Sequence, residues 1–189
     1  MALFVLTFAA TRLGRRQKQS LGIAESRKGR NAAQVVANLG ASALTAIGGL
    51  DIAQLITAGK IMALGALAEA TADTVSSEIG AAFGGRPFLV TTFKRVEAGT
   101  DGAVSLIGTV AGLLAAALVV LVGMWSMSLN WRLGLSAWIG GLVGLWFDSL
   151  LGATVERRGW LGNDLVNFLS TVVGGLVALG VAILFQEIA

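Results

Sequence analysis

The sequence predicts an all-α fold: a polytopic transmembrane helix bundle of five full spans plus a short N-terminal apolar segment, in one membrane-embedded domain over residues 1–189. Three observations predict it. Hydrophobic residues make up 55% of the chain and charged residues 13%, about half the charge of a soluble domain. Mean hydropathy is +0.78. Five apolar runs are each long enough to cross roughly 30 Å of hydrocarbon at about 1.5 Å per residue.

Composition narrows the chemistry further. The 11 acidic and 14 basic side chains are too few to coat a globule of 189 residues. Glycine is abundant at 26 residues and proline nearly absent, as in membrane bundles whose backbones approach closely. There is no cysteine, which excludes disulfides and thiolate metal sites. There is no histidine, which removes the commonest general base and metal ligand. Net charge is only +3 despite a pI near 10, so the placement of charge carries the information.

The elements follow in order. Met1–Thr11 is apolar but too short to cross unaided. It is a partial span, a surface anchor or a segment truncated at its start. It does not read as a signal peptide, because its basic residues follow the apolar run and no small-residue cleavage site is evident. The five long runs are Ala33–Ile52, Gly59–Ser77, Ala103–Ser126, Leu133–Ala153 and Leu165–Phe185. Between them, basic loops alternate with nearly uncharged ones. Arg12, Arg15, Arg16, Lys18, Arg27, Lys28 and Arg30 precede the first long run. Arg86, Lys94 and Arg95 precede the third, and Arg157 and Arg158 precede the last. The positive-inside rule puts these loops in the cytoplasm and the C-terminus outside.

Each predicted span carries one polar stripe at helical spacing. The stripes are Asn38, Ser42, Thr45, Gly49; Glu69, Asp73, Ser76, Gly80; Asp101, Ser105, Gly108, Gly112; Gly141, Gly144, Asp148, Gly152; and Asn163, Asn167, Ser170, Gly174. Small residues at such spacing can serve helix packing alone. Carboxylates at membrane depth cost a few kcal/mol each and point to a site. With the deduced topology Asn38, Asp73, Glu78, Asp101, Asp148, Asp164 and Asn167 all fall toward the cytoplasmic ends, which implies a single polar site at that face.

An all-oxygen donor set suits Mg²⁺. Asp73, Asp148 and either Glu78 or Asp164 are the candidate metal residues. Glu78 lies about 140° around a regular helix from Asp73, so either the helix loosens near Ser76–Gly80 or the two do not share an ion. Lys94 and Arg95 followed by Gly99-Thr100-Asp101-Gly102 and Ser105 form a candidate triphosphate cradle ahead of a helix. It is not a P-loop, since no Gly-Lys-Ser or Gly-Lys-Thr occurs. Asn38, Asn163 and Asn167 are candidates for orienting phosphate or ribose.

Five motifs occur in order: Arg30 to Asn38 with Gln34; Ala72-Asp73-Thr74-Val75-Ser76-Ser77-Glu78-Ile79-Gly80; Thr91-Thr92-Phe93-Lys94-Arg95-Val96 continuing through Gly99 to Gly108; Phe147-Asp148-Ser149-Leu150-Leu151-Gly152-Ala153-Thr154; and Asn163-Asp164-Leu165-Val166-Asn167. Together they resemble the membrane family that includes plant phytyl-phosphate kinase and animal transmembrane protein nineteen, from about Thr11 to the end of the chain. The resemblance implies an isoprenoid monophosphate kinase using a nucleoside triphosphate, CTP. Family members usually carry additional N-terminal spans.

The residues fit that chemistry. A prenyl monophosphate keeps its tail in lipid, and its phosphate oxygen is already anionic, so the lack of histidine is no obstacle. Asp73, Glu78, Asp148 and Lys94 are the catalytic candidates, with the tail expected in a groove between glycine-lined helices. Expected partners are membrane lipid and the two substrates, not nucleic acid, with a homo-oligomer left open. The host is a bacterial or archaeal plasma membrane or a plastid membrane. The same acids could instead serve a small ion-coupled transporter, and a nonenzymatic membrane subunit is a further alternative. A CDP-alcohol phosphotransferase is disfavoured, because Asp101-Gly102 leads into Ala103-Val104-Ser105.

Overall fold

The structure is a computed structural model and describes residues 1–23 and 53–185. The predicted span Ala33–Ile52 and Asn38 lie outside the described residues. Six α-helices are present among those described: α1 (Ala2–Arg12), α2 (Arg15–Ser20), α3 (Ala53–Phe83), α4 (Leu106–Met127), α5 (Trp131–Leu151) and α6 (Asn163–Leu184). Two features depart from a purely helical reading. Two-residue strands β1 (Phe88–Leu89) and β2 (Ala103–Val104) pair antiparallel. A π-helical turn, Gly152–Glu156, continues α5.

Three helices are long and apolar enough to cross a membrane: α4, α6, and α5 together with its π turn. Five full spans are therefore not supported: of the four expected runs that fall among the described residues, three qualify. The run Gly59–Ser77 lies inside α3, which has 31 residues and is about 46 Å long. It carries Lys60, Glu69, Asp73 and Glu78, which dilute its apolar character.

Helix α3 is the axis of the fold and packs on α1, α4, α5 and α6. Its buried residues Ile61, Ala63, Leu64, Ala66, Ala68, Ala70, Thr71, Ala72 and Thr74 occupy every face, as expected of a helix surrounded by others. The seams are made by small residues. A Cβ on Gly112 of α4 would lie 2.7 Å from the Ala72 carbonyl oxygen. On Gly141 of α5 it would lie 2.7 Å from the Ala68 Cβ, and on Gly65 of α3 2.6 Å from the Ala178 Cβ of α6. Such contacts are closer than any side chain tolerates, so the glycine stripes are used up in helix packing. Leu64, Ala68, Ala116, Val119, Val120 and Leu145 fill the rest of this core.

Caps set the helix ends. Ser105 precedes α4 and its hydroxyl accepts from the Gly108 N–H at 3.1 Å. Asn130 precedes α5 and accepts from the Leu133 N–H at 3.0 Å. Lys60 Nζ donates to the Met127 carbonyl at 3.2 Å, a cation at a helix C-terminus. The chain direction then puts the C-terminal ends of α3 and α5 and the N-terminal ends of α4 and α6 at one end of the bundle. The hairpin of residues 84–105 joins α3 to α4 there.

Candidate active site

At that end lies a cavity of about 410 Å³. Its wall holds five acids, Asp73, Glu78, Asp101, Asp148 and Glu156, together with Gly99, Thr100, Gly102, Ser105, Asn163 and Asn167. Lys18 is the basic residue on the wall among the described residues.

Each acid reaches the cavity from a different element. Asp73 lies one turn beyond the buried Glu69 on α3 and accepts from the Ser77 hydroxyl at 3.3 Å. Asp148 lies near the end of α5 and accepts from the Ser170 hydroxyl of α6 at 3.0 Å. Asp73 and Asp148 are close enough to interact directly. The π turn brings Glu156 within the field of Asp101 and Asp73. A π turn inserts a residue into the helical register, and here it aims the helix end at the hairpin. Gly102, with φ of 70°, lies so near Ala153 that only glycine fits there.

Glu78 is held differently. Its carboxylate forms an ion pair with Lys18, and the two side chains are 14% and 2% exposed. Lys18 Nζ also donates to the carbonyls of Ala10 at 3.3 Å and Thr11 at 3.0 Å. All three ammonium protons are thus committed, and the ion pair pins α1 and α2 to α3. Helix α3 continues unbroken to Phe83, so of the two readings of the 140° offset the regular helix holds.

Three sequence candidates stand off the cavity wall. Lys94 is exposed on the hairpin, and its carbonyl accepts from the Leu89 N–H at 2.9 Å. Arg95 bonds the Arg86 carbonyl and stacks 3.7 Å from the Phe88 ring centroid, so its guanidinium secures the hairpin. Asp164 is exposed in the first turn of α6, where it complements the helix dipole. In the proposed cradle the Thr100 N–H bonds the Glu97 carbonyl at 3.3 Å and the Ala103 N–H bonds the Thr100 carbonyl at 3.0 Å. Those two donors close a turn rather than point at a ligand.

Two residues escaped the sequence assignment. Glu156 could have been found, because the stripe Gly144, Asp148, Gly152 continues to it at the same spacing; the predicted span simply ended at Ala153. Lys18 gave no signal beyond its place in a basic run. Glu69 is 1% exposed, and among the described residues neither carboxylate oxygen is within good hydrogen-bond geometry of a partner, the nearby Ser170 hydroxyl being given to Asp148.

The donor set tests the fit of a magnesium ion. Among the described residues no three acids are grouped as metal ligands, so Asp73, Glu78, Asp148 and Asp164 do not converge on one ion. Mg²⁺ commonly takes one or two carboxylates and completes its shell with water and substrate phosphate. Asp73 and Asp148 fit that smaller demand.

Comparison with known proteins agrees with this architecture. Residues 1–175 match the family described as integral membrane protein DUF92. The chain is 43% identical over 116 residues to the uncharacterized membrane protein MJ0933 of Methanocaldococcus jannaschii, covering 61% of this chain and 48% of that one. It is 35% identical over 190 residues to the chloroplastic protein VTE6 of Arabidopsis thaliana, covering 94% and 56%. It is 34% identical over 187 residues to the uncharacterized membrane protein sll0875 of Synechocystis, covering 96% and 71%. The chain thus spans about half the length of the first two of these relatives. No solved structure matches. With the family match running over most of its length, the chain belongs to the DUF92 family of integral membrane proteins.

Proposed function

We propose that the protein is a prenyl-monophosphate kinase that transfers a phosphoryl group from a nucleoside triphosphate, CTP, to a lipid-borne phytyl or related prenyl monophosphate at the cytoplasmic membrane face. The observation that carries this reading is the acid-lined cavity at the ends of the apolar helices. Similarity to VTE6 supports it at the level of the family.

The reaction needs little proton chemistry. An anionic oxygen of the prenyl phosphate attacks the γ-phosphorus, the bond from that phosphorus to the β–γ bridging oxygen breaks, and the nucleoside diphosphate leaves. Catalysis then rests on positioning and charge neutralisation. Asp73 and Asp148 would hold Mg²⁺, which when bound supplies the positive charge that draws the two phosphates together. Ser170 fixes the Asp148 carboxylate, and Ser77 does the same for Asp73. Asn163 and Asn167, on the wall at the start of α6, would donate to phosphate or ribose. The turn Gly99–Gly102 bounds the nucleotide side. The basic residues Arg12, Arg15, Arg16, Arg86, Arg157 and Arg158 lie at the cavity end and Lys60 and Arg132 at the other, which supports a cytoplasmic site.

The test is a phosphotransfer assay in nanodiscs with phytyl or geranylgeranyl monophosphate, Mg²⁺ and each nucleoside triphosphate, the diphosphate being followed by mass spectrometry. Diphosphate is expected with Mg²⁺ and lost on chelation. Folded protein that gives no product with any triphosphate would sink the kinase and favour ion transport or a nonenzymatic subunit.

A further inference from the structure

We infer that the cavity opens sideways to lipid between α4 and α5, at Trp146, and that the prenyl tail of the substrate leaves the chamber through this portal. The inference rests on the kinase reading above and assigns the tail a path that the glycine stripes do not provide. Those stripes are filled: Gly65, Gly112 and Gly141 each abut a neighbouring helix too closely for any added atom.

The opening is defined by α5. Asp148 and Trp146 lie about 160° apart around a regular helix, yet both line the cavity. Leu145 and Ser149, which fall between them on the helical wheel, line it as well. The chamber therefore follows α5 from its acid side to its outer side. Trp146 is 48% exposed on a helix long and apolar enough to cross the membrane. Thr109 of α4 forms part of the same wall.

Deeper in the membrane the seam is bridged. Trp138 Nε1 of α5 donates to the Leu113 carbonyl of α4 at 3.2 Å. That bond lies about 12 Å below Trp146 along α5 and about 6 Å below Thr109 along α4. The portal thus occupies only the stretch next to the acids. A ligand there must be ionic at one end and apolar a few ångströms away. A membrane-dissolved prenyl monophosphate has that form, and its isoprene units would pass the indole face.

The experiment uses the full chain in nanodiscs and a prenyl monophosphate carrying a diazirine in its tail, photolysed and mapped by peptide mass spectrometry. Label is expected on α4 and α5 near Thr109 and Trp146, and excess unlabelled prenyl monophosphate should suppress it. Competable label on α3 or α6 alone, or label at Trp146 displaced by phospholipid but not by prenyl monophosphate, overturns the portal. In parallel, Trp146→Ala should lower kcat/KM for geranylgeranyl relative to dimethylallyl monophosphate about tenfold; an unchanged ratio would also overturn it. If the wild-type protein makes no diphosphate at all, the kinase reading fails, and the photolabel still decides whether a prenyl phosphate occupies the portal.

Discussion

Asp148 shows how a carboxylate is held near the end of a membrane helix. Its oxygen accepts from Ser170, it stands against Asp73, and no base shares its part of the wall among the described residues. Asparagine keeps the shape and the Ser170 bond but loses the charge that would hold a cation. Asp148→Asn and Asp73→Asn should each lower phosphotransfer at least about a hundredfold while the protein stays folded by size exclusion and circular dichroism. Full activity in both variants would refute their assignment. Lys18 and Glu78 make the opposite case. Lys18→Met leaves a shielded carboxylate without its partner and should cost about 3 kcal/mol of stability. The double variant Lys18→Met, Glu78→Gln should recover most of it, as read in a double-mutant cycle of unfolding. If the single variant is as stable as wild type, the pair does not anchor α1 and α2.

The helices depend on close approach more than on apolar content. On α3 small residues face every neighbour, so no single side chain dominates, and the seams fail where volume is added. Gly141→Leu would drive a side chain into Ala68 and the Glu69 backbone. Overpacking of this kind should destabilise by about 1–3 kcal/mol, lowering the melting midpoint in detergent; an unchanged midpoint would mean that α3 and α5 are not packed at this glycine. The α4–α5 seam is held by fewer groups. Trp138→Phe removes the donor to Leu113 and should cost about 1 kcal/mol. The π turn is the other element-level device, since it points Glu156 back toward Asp101 at the cavity.

For the whole molecule the decisive property is which face of the membrane receives the cavity. The absence of cysteine makes this measurable by single introduced cysteines. Lys94→Cys on the hairpin and Arg158→Cys beyond the π turn should be shielded from a membrane-impermeant maleimide in intact cells. Ser128→Cys, in the turn between α4 and α5, should react. The reverse pattern would put the acids outside, where no nucleoside triphosphate is supplied. The measurement also tests the positive-inside argument, because it reads only the ends of spans and needs no activity.

Membrane insertion, three of the five expected apolar spans and the gathering of acids at one end were legible in the sequence. Hydropathy and charge placement are local properties, and antiparallel helices carry them to a common level without knowledge of their neighbours. The tertiary structure decided which acids meet. Glu78 and Asp73 are five residues apart on α3, but Glu78 is taken by Lys18, sixty residues away. Asp73 and Asp148 meet only because α3 and α5 cross at glycine. Lys94 and Arg95 read as phosphate ligands by their position before a helix, yet the hairpin turns them outward, since β pairing sets their direction. The lipid-facing portal was likewise invisible in sequence, where Trp146 is one apolar residue among many. A cavity is what packing leaves unfilled, and that depends on how whole helices fit together.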